Sequence, residues 1–531
     1  MLNSSFPIPQ IDFGPLLPIL IVISTGIVAL LIEIIRPANK NQIIVGASLL
    51  GLGVAAYVLC QQLSGAGAGG AVWGGGEKET IGNMFLLDSF GIVMQLLVVG
   101  ACFLCICFSE NYLRQKRIPF GEFYPLVLWS SSGAMLMATS KNLLVIFLGL
   151  EVLSIALYVM AGMSRSEEKS EESAVKYFLL GAFASCFLLY GIAFVYGASG
   201  SLRIDDMAAT WANGDGTTHT LLLFGMGLIL VGLSFKSAFV PFHQWTPDVY
   251  QGAPTNVTAF MAAGSKIAAL AALYRVLDAA VPMADYWIPA MSVIAVLTMT
   301  IGNLVALLQQ DVKRILGYSS IAHAGYILVA ILAHCKSMQN PAEGEVGYAA
   351  TAYYLLSYSV MTIGAFAVIS LVAKSGREKT TLADLHGLYK REPFAAAALV
   401  IFMASLIGIP PTSGFIGKLF IINDALRSNM GWLAIVLAVN SIISIAYYLA
   451  IARAAFVAEE DEDKVVLAPM GTGTFSASFL CAVAVFALAL FVSPLMSSFN
   501  YTPGGVQASA RKTGRPLASL APIQIAPRLK P

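Results

Sequence analysis

Runs of apolar residues, each long enough to cross a membrane, recur along this chain of 531 residues. A helix that spans the hydrocarbon core of a bilayer needs about 20 such residues. The runs are continuous and do not alternate between apolar and polar positions, so they predict helices and not the strands of a barrel. The sequence therefore predicts an all-α polytopic membrane protein with about fourteen spans: 15–35, 43–63, 84–108, 122–139, 142–162, 174–199, 219–240, 254–278, 284–308, 314–334, 346–373, 393–424, 431–457 and 472–497.

The charge content excludes a soluble fold and a nucleic-acid partner. Only 11% of the residues are charged and 57% are hydrophobic, whereas soluble domains carry about 25% charged residues. The net charge of +1 provides no strongly basic surface for nucleic acid, so the lipid bilayer is the expected surrounding. The first basic residue is Arg36; without a charged segment before the first apolar run, we expect that run to remain as a membrane span.

The basic residues of the connecting loops predict the orientation. Cytoplasmic loops carry an excess of lysine and arginine. One side has sixteen such residues and the other has six, Lys78, Lys141, Arg203, Arg275, Lys336 and Arg427. The richer side, predicted to be cytoplasmic, contains Arg36, Lys40, Arg114, Lys116, Arg117, Arg165, Lys169, Lys313, Arg314, Lys374, Arg377, Lys379, Lys390, Arg391, Arg453 and Lys464. With an even number of spans, both termini are then expected on the periplasmic side of a bacterial inner membrane.

Motifs for metals and redox cofactors are weak. Cys102, Cys105 and Cys107 lie inside an apolar helix and have no second pair of ligands in sequence, so we interpret them as packing residues. The glycines at 65, 67 and 70 spell a dinucleotide-binding pattern, but no strand precedes it and no helix follows in the required order. We expect no metal site and no cofactor on this chain.

Two predicted spans are interrupted by proline. The seventh contains Pro241 and the twelfth contains the segment from Gly408 to Gly414 with two adjacent prolines. Proline breaks a helix, and two broken spans five apart suggest that spans 4–8 and 9–13 are repeats. Five spans is an odd number, so the copies would be inverted in the membrane; two unrelated proline kinks are the alternative.

This interpretation divides the chain into five parts. We expect a three-helix segment over 1–118, a first repeat over 119–280 and a second repeat over 281–460. A C-terminal helix over 461–498 and a disordered basic tail over 499–531 complete the chain.

Four charged residues lie deep inside apolar spans: Glu151, Lys236, Lys266 and Lys418. A charge at bilayer depth costs at least about 2.5–3.5 kcal/mol and usually marks an ion or proton path. Burial lowers the pKa of a lysine toward neutrality, and an approaching carboxylate raises it again. We therefore expect Glu151 to pair with Lys236 and to control its proton. The alternative is that these charges only lock helices together.

Two further residues are candidates for the same path. His323 lies near the middle of the tenth span, with Ser319, Ser320 and Tyr326 close by on the same helix, and could extend a chain of polar groups. Lys176 opens the sixth span and is either an accessory group on the uptake side or a lysine that reaches the membrane surface.

Three motifs carry a specific resemblance. They are TPDVYQGAPT over 246–255, KRILGYSSIAHAGY over 313–326 and IPPTSGFIGK over 409–418. With them the chain resembles the proton-pumping, antiporter-like membrane subunits of respiratory complex I, the NADH:quinone oxidoreductase, and within these the subunit N family. The similarity extends across all fourteen predicted spans.

The resemblance implies a function and partners. It implies two inverted five-helix repeats and proton-pathway roles for Glu151, Lys236, Lys266 and Lys418. It also implies other membrane subunits as partners, with NADH, quinone, FMN and iron–sulfur clusters handled by partner subunits. A subunit of a multi-subunit sodium/proton antiporter, another complex I pump subunit and a non-transporting scaffold are the alternatives.

Overall fold

The computed structural model describes residues 13–35, 40–68, 78–80, 84–116, 118, 120–339, 346–372, 380–457, 470–493 and 495. The predicted tail over 499–531 lies outside the described residues. Helices dominate the described part of the chain, and its β-structure includes one short antiparallel pair, β1 (Lys78–Thr80) and β2 (Phe85–Leu87). The predicted all-helical class is confirmed.

The helices follow the chain in four groups. The N-terminal group is α1 (Leu17–Ile35), α2 (Lys40–Ala68) and α3 (Ser89–Lys116). The next group is α4 (Phe120–Thr139), α5 (Leu143–Ala161), α6 (Glu168–Ser199), α7 (Asp206–Asn213), α8 (Gly216–Ser237), α9 (Trp245–Gly252), α10 (Thr255–Phe260) and, after a π-helical turn over Met261–Ser265, α11 (Lys266–Ala279). The third group is α12 (Ala284–Ala306), α13 (Val312–Gln339), α14 (Ala349–Ile369), α15 (Leu388–Arg391), α16 (Pro393–Ile407), α17 (Ser413–Arg427) and α18 (Gly431–Ala454), and α19 (Thr472–Leu490) is the last.

Twelve helices in the described ranges are long and apolar enough to cross a membrane. They match twelve of the predicted spans. The other two predictions correspond to α4, with 20 residues, and to the pair α16 and α17, with 15 residues each. The total of fourteen spans therefore stays a prediction.

Both predicted interruptions are present. The helix α8 ends at Ser237, the following Ala238 takes a left-handed conformation with φ 63°, and α9 begins at Trp245. The helix α16 ends at Ile407, and Gly408 is left-handed with φ 91° before α17 begins. A left-handed residue stops a helix and leaves its last carbonyls without helical partners. The breaks thus create free backbone acceptors inside the helical bundle.

The pattern of helix packing recurs in the two central groups. α4 packs along α5 as α12 packs along α13, and α6 packs against α8 and α9 as α14 packs against α16 and α17. α11 contacts α4 and α8, and α18 contacts α12 and α16 in the same way. This recurrence is what two copies of one five-span unit would produce; the five segment boundaries stay a prediction.

Small residues bring neighbouring helices into close contact. A Cβ atom added to Gly133 on α4 would lie 2.6 Å from the carbonyl oxygen of Gly149 on α5. One added to Gly302 on α12 would lie 2.8 Å from the backbone nitrogen of Ala322 on α13. Such contacts are typical of membrane helices, which associate through close packing. They fix α5 and α13 near Glu151 and His323, respectively.

Candidate proton pathway

Glu151 and Lys236 lie near each other but are not in direct contact. The half-buried Glu151 on α5 accepts a hydrogen bond from the Ser185 hydroxyl on α6. Lys236 on α8 donates instead to Ser154 Oγ at 2.8 Å and to the Tyr177 hydroxyl at 3.0 Å. The two groups interact electrostatically without a direct contact, so the predicted control of the Lys236 proton by Glu151 stays a prediction.

A small cavity lies between Ser185, the hydrogen-bond partner of Glu151, and Lys236. Its volume is about 10 Å³, and Ser154, Ser185 and Lys236 contribute to its lining. That is about the space that one water molecule requires. A single water could therefore join Ser185, which bonds Glu151, to the ammonium group of Lys236.

Lys176 belongs to a charged cluster outside the interior of the bundle. Its Nζ lies 2.6 Å from Glu172 Oε1 and 2.7 Å from Asp248 Oδ2, and the other oxygen of Asp248 lies 2.6 Å from Arg314. Burial acts to raise the pKa of Asp248, but the hydrogen bonds from Lys176 and Arg314 outweigh it and lower that pKa. A polar cavity of about 140 Å³ is lined by these groups together with Lys169 and Gln251.

Tyr177 connects this cluster to the interior. It follows Lys176 on α6, and its hydroxyl contacts Lys236 and interacts with Ser265, the residue before Lys266. Its ring stacks on Trp245 at a centroid distance of 4.6 Å. Tyr177 thus lies next to Lys176 of the surface cluster and contacts both Lys236 and Ser265, the last residue of the π-helical turn.

Lys266 begins α11 and is 3% exposed. Its Nζ donates to the carbonyl oxygen of Ser320 and to Ser320 Oγ, the latter at 2.5 Å. It also lies 5.7 Å from the centre of the Tyr358 ring, a distance typical of a cation–π contact. Lys266 therefore connects α11 to α13 and α14 of the third helical group.

Tyrosines surround His323 on α13. The hydroxyl of Tyr354 lies 2.9 Å from its Nδ1 and that of Tyr448 lies 2.9 Å from its Nε2. The rings of Tyr358 and Tyr326 lie 5.0 Å and 5.3 Å away. The imidazole thus has a hydroxyl partner at each nitrogen and can accept a proton on one side and release one on the other.

Lys418 lies beyond the second break, on α17, and is 5% exposed. Its Nζ donates to the carbonyl oxygens of Leu406 at 3.0 Å and Ile407 at 2.7 Å, which the end of α16 leaves free. It also donates to Ser441 Oγ at 2.7 Å and lies 5.3 Å from the Tyr326 ring. Tyr326 therefore lies between His323 and Lys418.

The structure arranges all six predicted residues in one order, from Lys176 through Lys236, Lys266 and His323 to Lys418, with Glu151 beside Lys236. The sequence reasoning missed the hydroxyl groups that connect them: Ser154, Ser185, Tyr177, Tyr354, Tyr358, Ser441 and Tyr448. Their signal was available, because tyrosines at 354 and 358 and at 447 and 448 occur inside apolar spans. A buried tyrosine hydroxyl needs a hydrogen-bond partner.

The family of this chain follows from its sequence. The family described as "NADH:quinone oxidoreductase/Mrp antiporter, TM" matches residues 140–444, more than half of the chain. The chain belongs to this family. The match covers Glu151, Lys236, Lys266, His323 and Lys418, and it ends shortly after Ser441.

Relatives within the antiporter-like family refine the assignment. NADH-quinone oxidoreductase subunit N of Trichlorobacter lovleyi is 42% identical over 440 residues, which are 83% of this chain and 86% of that protein. A chain of respiratory complex I from Thermus thermophilus, with bound aureothin, is 33% identical and has a TM-score of 0.74, covering 90% of this chain and 98% of that one. The resemblance to subunit N is confirmed.

The antiporter alternative shares the fold. A chain of the Mrp complex from Dietzia has a TM-score of 0.77 and covers 92% of this chain and 95% of that one, but only 23% of the residues are identical. That similarity shows a common fold alone, whereas the 42% identity to subunit N is specific. Membership in a multi-subunit sodium/proton antiporter is therefore not favoured.

Proposed function

We propose that this chain is a proton-translocating membrane subunit of a bacterial NADH:quinone oxidoreductase. Its partners are the other membrane subunits of that complex, and NADH, quinone, FMN and iron–sulfur clusters belong to partner subunits. The observation that carries the proposal is the series of three buried lysines whose partners are hydroxyl and carbonyl oxygens: Lys236, Lys266 and Lys418. No helix needs these lysines to form, and each burial is costly.

Hydroxyl partners suit lysines that gain and lose a proton. A serine or tyrosine hydroxyl accepts a hydrogen bond from an ammonium group and can turn to donate one to a neutral amine. Each lysine therefore keeps its partners in both states. A fixed carboxylate would instead hold the ammonium form, because an opposite charge nearby favours the charged state.

Proton uptake is assigned to the side that bears the cavity at Lys176. This cavity opens among Lys169, Lys176 and Arg314, which belong to the basic loops of the predicted cytoplasmic side. From there a proton passes by Tyr177 to Lys236, then to Lys266, His323 and Lys418. The chain thus lies in the inner membrane with its termini on the periplasmic side. Glu151 controls the proton affinity of Lys236 through Ser185 and the small cavity between them.

Lys266→Ala tests the proposal in the assembled complex. The variant should lower proton pumping in reconstituted vesicles by about 100-fold, a typical loss for a positioned proton-transfer group. NADH–ferricyanide activity, which uses only partner subunits, should be unchanged. Lys390→Ala is the matched control, because Lys390 is an exposed lysine on α15. Full pumping by the Lys266 variant would contradict the proposal.

A further inference from the structure

A second polar cluster lies at the far end of α13, around His334. This histidine follows His323 by eleven residues on α13, which is about 16 Å along the helix. The opposite end of α13 holds Arg314, which lines the cavity at Lys176. His334 therefore lies toward the membrane face opposite that cavity, and no step of the pathway described above uses it.

The contacts of His334 restrict where it can exchange a proton. Its Nδ1 lies 2.6 Å from the carbonyl oxygen of Val346, which can only accept, so Nδ1 keeps its hydrogen. Its Nε2 lies 2.9 Å from Asp278 Oδ1 and 2.8 Å from the Tyr274 hydroxyl. The imidazole is 6% exposed, whereas the side chain of Asp278 is 45% exposed. A proton at Nε2 thus has the Tyr274 hydroxyl on the side of the protein interior and the Asp278 carboxylate on the exposed side.

We propose that His334 is the proton-release group of this chain. A proton that arrives from the interior binds Nε2, moves to the carboxylate of Asp278 and leaves from there to water. Nε2 is then free to accept a hydrogen bond from Tyr274 until the next proton arrives. This assignment rests on the proposed function, since it supplies the last step of the same path.

The connection to Lys418 runs along α17. Asp424 lies six residues after Lys418 on this helix, about 9 Å along its axis. The hydroxyl of Ser428, one turn beyond Asp424, donates to the carbonyl oxygen of Ala333 at 2.7 Å and holds this end of α17 beside His334. Asp424 interacts electrostatically with His334. The proposed order is therefore Lys418, Asp424, His334 and Asp278.

Other charged groups complete the surroundings of the cluster. Arg427 on α17 interacts with Asp424. Lys336 on α13 donates to Gln339, which in turn donates to Asp285 on α12. Asp88, just before α3, binds Arg275 of α11 at 2.6 Å, and Phe90 of α3 stacks on Tyr274 at a centroid distance of 4.5 Å. In each of these pairs the two members interact with one another, whereas Asp278 is the carboxylate that contacts His334 Nε2.

The test uses the whole complex in vesicles, oriented with the His334 face toward the lumen. His334→Gln keeps an amide that can donate to Asp278 but binds no proton near pH 7. We expect pumping to fall by about 10-fold or more, as when a positioned proton carrier is removed, and its dependence on lumenal pH to flatten. His219→Gln is the matched control, because His219 stacks on Trp211, and Trp211 contacts Tyr286 of α12, away from Asp278. NADH–ferricyanide activity should be unchanged in both.

A second variant keeps the test decisive if His334→Gln does not assemble. Asp278→Asn changes a half-exposed side chain and removes only its ability to take the proton, so it should show the same loss and the same flattened pH profile. Normal pumping with a normal lumenal pH profile in Asp278→Asn, or in an assembled His334→Gln complex, would overturn the release role. If Lys266→Ala also pumps normally, the proposed function itself fails; if only Lys266→Ala is inactive, the release assignment alone is wrong.

Discussion

The two helix breaks hold their lysines in different ways. At the first break, the carbonyl of Phe235 accepts from the Ala238 N–H and, at 3.0 Å, from the indole of Trp245, whereas Lys236 binds hydroxyl groups on α5 and α6. At the second break, Lys418 itself binds the freed carbonyls of Leu406 and Ile407. One lysine lies before its break and the other after it.

This difference determines from how many directions each lysine can exchange a proton. Carbonyl oxygens only accept, so a neutral Lys418 must keep two N–H groups directed at them and use its lone pair toward Ser441. Lys236 has two hydroxyl partners, and either can turn to donate. The first site therefore accepts a proton from several directions, as suits a group that collects protons, whereas the second exchanges through one direction.

The largest expected effect tests whether Lys236 must release its proton. In Lys236→Arg the guanidinium keeps the charge and the contacts within reach but stays protonated at all accessible pH. We expect pumping to fall by about 100-fold or more, as in Lys236→Ala. Vesicle acidification per electron would measure it, with Lys390→Arg as the control. A pumping Arg variant would mean that only the charge matters, and the contrast between the breaks would lose its functional meaning.

The charged residues of the proposed path were easier to predict from the sequence than their hydrogen-bond partners. Charges in apolar runs are visible because they violate the composition of a span, and so Glu151, Lys236, Lys266 and Lys418 could be identified directly. That Ser154 and Tyr177 of other helices are the hydrogen-bond partners of Lys236 could not be predicted, because a linear sequence does not show which side chains meet inside the bundle.

The two helix breaks show the same limit of prediction from sequence. Proline at 241 and at 410 and 411 predicted where two helices would stop. Which side chain would bind the carbonyls at each helix end could not be predicted, because it depends on how far Trp245 and Lys418 reach after the chain turns. Tertiary packing determines which side chain binds these carbonyls, and this difference distinguishes the site of Lys236 from that of Lys418.

An intermediate effect tests the single exchange direction at the second break. Ser441→Ala removes the one hydroxyl that contacts Lys418 Nζ and leaves both carbonyls in place. Losing a hydrogen-bond partner of a charged group costs about 1–3 kcal/mol, which would slow proton transfer by about 10-fold. Ser154→Ala should slow pumping less, because Lys236 retains Tyr177.

The measurement is the initial rate of pumping for the two variants under the same conditions. Ser444→Ala is the matched control for Ser441, because the Ser444 hydroxyl donates to a backbone carbonyl one turn back on α18. Equal losses in Ser441→Ala and Ser154→Ala would remove the distinction between a site with one exchange direction and a site with two.

The smallest expected effect concerns Asp248, which bridges Lys176 and Arg314 before the path enters the bundle. Its pKa is lowered in the folded protein, so its stabilising contribution is complete above the ordinary value of about 3.9 and is lost as the pH falls through the lower folded value. Because Asp248 is partly exposed, Asp248→Asn should cost only about 1 kcal/mol near pH 7. The melting temperature of the complex should fall by a small amount that is constant between pH 7 and 5.

Below about pH 4 the difference between wild type and Asp248→Asn should shrink, because the wild-type carboxyl becomes neutral too. Glu171→Gln is the control, since Glu171 is exposed on the same stretch of α6. A difference that persists unchanged into acid would show that the bridge acts through shape and not through charge. Pumping should change little in Asp248→Asn, because Lys176 and Arg314 still line the uptake cavity and the hydroxyl of Tyr177, not the carboxylate of Asp248, contacts Lys236.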